Sequence, residues 1–158
     1  MREKVDPTAE TGLGEVFETE APRLWRAVFA YTQDRAVTDD AVAEAFAQCL
    51  RRGDAVRDPR AWVWRAAFRL AAGDLRARRR TGPLVDAPVH DPEGPQRVLA
   101  ALATLPGNQR VAAILHWYGG YETGVVADVL GISAATVRVH LSRARTRLRT
   151  LLPEEDQR

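Results

Sequence analysis

The chain has 158 residues, a formal net charge of +2, one cysteine and 46% hydrophobic residues. That length holds one ordinary domain or two small helical ones, and the apolar fraction excludes wholesale disorder. A lone cysteine excludes an internal disulfide; with no apolar run of membrane-spanning length and no apolar leader, the expectation is a cytoplasmic protein without membrane insertion.

In chain order, residues 1–12 are polar and read as a loose tail. Phe17, Ala21, Leu24, Val28 and Tyr31 then mark one face of a helix, with a kink or fresh start expected at Pro22. Thr38 fits the N-cap of a second helix, with Asp39 and Asp40 in its first turn and Val42, Phe46, Cys49 and Leu50 facing inward. Gly53 ends it. Asp58-Pro59 opens a third helix, expected over 60–80, that buries Trp62, Ala66, Leu70 and Leu75. Residues 81–95 hold Gly82, Pro83, Pro88, Pro92, Gly94 and Pro95, a linker composition. Short helices follow around Val98–Leu105 and Val111–Tyr118, then over about 122–130 and 134–152. No β-type alternation of useful length occurs, so the fold class is all-α: two small helical domains joined by a linker, the second containing a helix-turn-helix. The boundaries are 13–80, 81–95 and 96–152.

Charge is segregated along this frame. Residues 81–96 carry Asp86, Asp91 and Glu93 without Lys or Arg. Residues 132–150 carry Arg138, Arg143, Arg145, Arg147 and Arg149 without any acid, and Arg76, Arg78, Arg79 and Arg80 close the first half. This pattern gives two anion-facing surfaces separated by an acidic strip.

The strongest local signal is Thr123–Ser142. Ala127 is small where two helices cross, Gly131 suits a left-handed turn, and Ser133 suits a cap. Val126, Leu130, Ile132 and Val137 supply the shared core. The second helix carries an apolar stripe of Val137, Leu141, Ala144, Leu148 and Leu151, while arginines crowd its other sides. Such a helix suits the major groove, where arginine pairs with guanine edges and phosphates. No catalytic pattern competes with this. His90, His116 and His140 lie far apart, no glycine-rich phosphate loop follows a strand, and no nucleophile has a nearby base. The expectation is a protein that is not an enzyme and needs no cofactor or metal.

Leu105-Pro106-Gly107-Asn108-Gln109-Arg110, Val125–Ser133, Thr136-Val137-Arg138 and Ser142-Arg143-Ala144-Arg145 together resemble region 4 of extracytoplasmic-function sigma factors, of the sigma-70 family. Phe17 to Trp25, Asp40 to Phe46 and Pro59-Arg60-Ala61-Trp62-Val63-Trp64-Arg65 resemble region 2 of the same family. The resemblance implies a subunit that joins core RNA polymerase at the β′ coiled coil, reads promoter DNA and answers to an anti-sigma factor. It implies −35 contacts from Thr136, Arg138, Val139, His140, Ser142, Arg143 and Arg147. For the −10 element it implies Trp64, Arg65, Arg69, Arg76, Arg79 and Arg80, with a base pocket in the loop Gly53–Asp58. For polymerase docking it implies Asp39, Asp40, Glu44, Phe46 and Arg51. The linker would thread toward the RNA exit path. The chain departs from the family at Ala43, usually Gln, and at Arg69 and Gly73, usually Asn and Asp, which bears on promoter melting. The segment Thr136–Leu141 also resembles LuxR-type regulators, so a regulator that never joins polymerase is the alternative.

Overall fold

The computed structural model describes residues 7–81 and 95–152. The chain divides into two compact units, Met1–Arg80 and Thr81–Arg158. Every regular element among the described residues is helical. The segment 82–94, most of the expected linker, lies outside the described residues.

The first unit holds α1 (Pro7–Thr32), α2 (Arg35–Arg52) and α3 (Pro59–Thr81), with a 3₁₀ turn at Gly53–Ala55. Helix α1 begins within the expected tail and runs through Pro22 without a break. Proline suits a first turn, as at Pro7. Beyond Pro22 the burial of Leu24, Ala27, Val28, Ala30 and Tyr31 holds the helix together. Pro22 itself is exposed, and its carbonyl accepts a hydrogen bond from Arg26 Nε at 3.1 Å.

A corner joins α1 to α2. Gln33 takes φ +55°, and Asp34, not Thr38, caps α2: the Val37 amide donates to Asp34 Oδ1 at 3.0 Å. The two residues lie one turn apart and both carry capping oxygens. The reversal at Gln33 decides between them, leaving Thr38 inside the helix and fully buried. Its hydroxyl bonds Asp34 O at 2.7 Å and Thr32 Oγ1 at 2.8 Å. Asp39 and Asp40 therefore stand in the second turn. Val42, Phe46 and Cys49 are buried as expected, but Leu50 is 54% exposed, turned outward beside Cys49. Burial also pushes the Cys49 thiol's pKa up. Gly53 ends the helix at φ +54°, with its amide on Cys49 O.

Asp58 caps α3 as expected, accepting from the Ala61 amide at 3.2 Å. The buried face is another matter. Val63, Trp64, Ala67, Phe68 and Ala71 face the core, whereas Trp62, Ala66, Leu70 and Leu75 are only half-buried. Long-range partners fix this choice. Trp64 Nε1 donates to Glu20 Oε2 at 3.1 Å, and Phe68 packs against Tyr31 with ring centres 5.8 Å apart. Glu20 is buried too, and its second oxygen meets Arg60 Nε at 3.0 Å. A buried carboxylate needs such partners, so this pair ties α1 to α3.

The second unit holds α4 (Pro95–Ala103), α5 (Gly107–Ala113), α6 (Thr123–Leu130) and α7 (Ala134–Leu151). Helix α5 continues into a π-helical turn over Ile114–Tyr118, closed by the Gly119 amide on Ile114 O at 2.9 Å. Leu105, Ala113 and Ala144 form one apolar cluster, with Leu102 and Leu148 packed against it. Arg110 Nη2 donates to Ala103 O at 2.7 Å and Leu105 O at 3.0 Å, satisfying carbonyls that the end of α4 leaves open. Among the described residues no single helix is long and apolar enough to cross a membrane.

Candidate nucleic-acid interfaces

Helices α6 and α7 meet at 99° across a three-residue turn. Gly131 sits in the left-handed region at φ +66°, and the amides of Gly131 and Ile132 both reach back to Ala127 O. Ser133 caps α7: its Oγ accepts the Thr136 amide at 3.1 Å and meets Thr136 Oγ1 at 2.8 Å. Val126 and Val137 are fully buried at the crossing, with Ala127, Leu141 and Ala144 beside them. These contacts fix which sides of α7 turn outward.

Of the seven expected −35 residues, Thr136, Arg138, Val139, Ser142, Arg143 and Arg147 are exposed. Val139 presents a 46% exposed apolar surface, suited to a thymine methyl. His140 is half-buried; its Nδ1 is covered and has no hydrogen-bond partner among the described residues, so Nε2 is the ring nitrogen left to face outward. Among the described residues Arg138, Arg143, Arg147 and Arg149 face no carboxylate. The positive charge of this face is therefore unneutralised, as phosphate binding requires. Sequence reasoning missed one contact beside it. Arg145 lies over the Trp117 ring at 5.6 Å, and Trp117 and Tyr118 are about 40% exposed. The π-helical turn brings them out, and no linear pattern in the sequence announces it.

In the first unit the docking candidates lie along α2. Asp39 accepts from Trp25 Nε1 at 2.7 Å, and Asp40 is exposed. Glu44 accepts from Gln48 at 2.9 Å and Arg51 at 2.8 Å, contacts that hold its carboxyl below the ordinary carboxylate range. Phe46 is a correction. It is buried, with its ring edge-on to Phe17 at 5.0 Å, so Phe17, 52% exposed, is the aromatic that reaches solvent.

Trp64 is also a correction. It is 1% exposed, stacks on Phe68 at 6.3 Å and spends its N–H on Glu20, so it offers no face to a base. Trp62, expected in the core, takes the outward position, with Arg52 over its ring at 5.6 Å. Arg65 and Arg69 join Trp62 along a cavity of about 770 Å³ that Gln48 and Arg52 also line. Arg76 is exposed, with Nε on Ala72 O at 3.3 Å. Arg79 and Arg80 fall at the end of α3, and their side chains lie outside the described residues. Arg78 pairs with Asp34 at 2.9 Å and stands 3.9 Å from Asp74, so part of this basic run is neutralised.

Known proteins bear on these surfaces. The family model described as sigma-70, region 4 matches residues 96–148. The extracytoplasmic-function RNA polymerase sigma factor SigL of Mycobacterium tuberculosis is 28% identical over 155 residues, covering 88% of this chain and 88% of SigL. SigJ of the same organism is 35% identical over 152 residues, covering 83% of this chain and 49% of SigJ. Among solved structures, the sigma factor RpoE of Bartonella quintana, in complex with the anti-sigma factor NepR, superposes with a TM-score of 0.73 at 20% identity. That match covers 87% of this chain and 94% of RpoE, and it concerns the fold. All three relatives are sigma factors, which favours that reading over a regulator of the LuxR type.

Proposed function

Since the chain is an extracytoplasmic-function sigma factor of the sigma-70 family, we propose that its second unit sets RNA polymerase on the −35 element while its first unit opens the −10 element. One observation carries the reading: α7 is held inward by Val137, Leu141 and Ala144 and capped by Ser133, and it presents unneutralised arginines outward. Arg138 and Arg143 pair with base edges, Val139 meets a thymine methyl, His140 and Ser142 contact neighbouring bases, and Thr136 and Arg147 hold the backbone.

In the first unit Asp39, Asp40, Glu44 and Arg51 dock on the β′ coiled coil. Arg65, Arg69, Arg76, Arg79 and Arg80 follow the displaced strand, as a basic track suits single-stranded DNA. The domains are 13–80 and 96–152, with 81–95 as the tether between them. The protein acts in the cytoplasm, catalyses nothing itself and is held in check by an anti-sigma factor, the class of partner that NepR is for RpoE.

The test is transcription in vitro on fragmented genomic DNA, comparing core polymerase alone with core plus this protein and mapping transcript 5′ ends. New starts sharing a pair of upstream motifs are expected. Failure to bind core polymerase would sink the reading in favour of a free-standing DNA-binding regulator.

A further inference from the structure

Helix α1 borders the docking face of α2. The Trp25 indole N–H donates to Asp39 Oδ1 at 2.7 Å, across 14 residues of sequence. The bond is short and charge-assisted, and it lies at the surface: Asp39 is exposed and Trp25 half-buried. The two helices do not need it to stay together, since Leu24, Val28, Val37 and Ala41 already bury their apolar sides. The indole is itself held. Phe29, one turn further along α1, stacks on it with ring centres 5.1 Å apart and 11° between the planes. The Arg35 guanidinium lies over it at 5.9 Å, brought there by the corner at which Gln33 takes φ +55° and Asp34 caps α2. A fixed donor thus meets a short side chain and selects one of its staggered rotamers.

We propose that Trp25 is a positioning residue for polymerase docking: its N–H fixes the Asp39 carboxylate through Oδ1 and leaves Oδ2 for a cation of the polymerase. The inference rests on the reading of Asp39 as a docking residue, and it adds a residue of α1 which that reading leaves out. Among the described residues Oδ2 of Asp39 has no partner. One turn on, Ala43 is exposed and brings no polar group, so Asp39 is the residue with a charge to offer on this flank of α2. Ordering a side chain at an interface costs free energy at the moment of binding, and a side chain already ordered in the free protein loses less. Trp25 acts through Asp39 in this way, not by a contact of its own.

The test is a double-mutant cycle on the affinity of the full chain for core polymerase. Trp25→Phe keeps an aromatic ring beside Phe29 and removes the N–H. It should weaken core binding about three- to tenfold, with the urea midpoint close to that of the unaltered chain. Asp39→Ala should weaken core binding at least as much. In the Asp39→Ala background, Trp25→Phe should cost nothing further, a result that a role in the fold alone would not produce. Unchanged core affinity in Trp25→Phe, beside a loss in Asp39→Ala, overturns the positioning role and leaves the docking reading intact. Equal losses from Trp25→Phe with and without Asp39 also overturn it, since the indole would then act through the fold or by its own contact. No loss in Asp39→Ala removes Asp39 from the docking face, and the inference falls with that reading.

Discussion

The basic surfaces of the two units are built on opposite plans. On α7 the arginines project from a helix whose inward side is wholly apolar, and those at 138, 143, 147 and 149 meet no acid among the described residues. In the first unit, cations are woven into the fold: Arg60 meets Glu20, Arg51 meets Glu44, Arg78 meets Asp34, and Arg52 lies on Trp62. The second unit thus separates structure from recognition, and the first makes the same residue types serve both. Removing Arg138, Arg143, Arg147 or Arg149 should change binding alone, whereas changes to α3 should divide sharply by face.

The sharpest division concerns the two tryptophans. Trp64→Ala removes a fully buried ring and leaves the buried Glu20 carboxylate with Arg60 in place of two partners, so a loss of about 3–5 kcal/mol in unfolding free energy is expected. Trp62→Ala removes a half-exposed ring and a stacked guanidinium, worth about 1 kcal/mol. Urea unfolding of the two variants checks this; equal losses would erase the distinction between the faces of α3. Next comes Arg143→Ala, expected to weaken promoter binding by about 1–3 kcal/mol and to lower the salt slope by about one. Core polymerase binding, measured alongside, should not change, and its loss would break the separation claimed for the second unit. Narrower in range is the effect of Gly131→Ala. A Cβ there has open space, so the expected cost of about 1–2 kcal/mol is that of the left-handed backbone alone. Thermal unfolding and −35 binding should fall together, because the turn sets the angle of α7.

The same contrast explains what the sequence discloses. The helix-turn-helix is legible because its rules are local: Ala127, Gly131 and Ser133 act through backbone groups at most five residues away. Gly53 and Asp58 are readable for the same reason. Helix α3 is not, since Trp62, Trp64 and Phe68 offer competing apolar faces, and the deciding partner of Trp64 is Glu20, 44 residues earlier. Thr38 and Asp34 show the limit at short range, where two acceptable caps lie one turn apart and the strained residue Gln33 selects between them. The polar faces of α2 and α7 can be placed from the sequence. The aromatic pair at Trp117 and Tyr118 cannot, because a π-helical turn shifts the helical repeat without leaving a compositional mark.

That turn has a consequence for how the chain can change length. A π-helical turn contains one residue more than the 3.6-residue repeat needs, so it is a stored insertion. Deleting one residue between Ile114 and Tyr118 would restore the ordinary repeat, and because the turn absorbs its extra residue locally, the chain downstream would keep close to its present course. The change would fall on the turn itself, where Trp117 now stands beneath Arg145. The interval between α5 and α6 is accordingly able to give up one residue, and a shorter descendant would trim this turn rather than rebuild the helix-turn-helix.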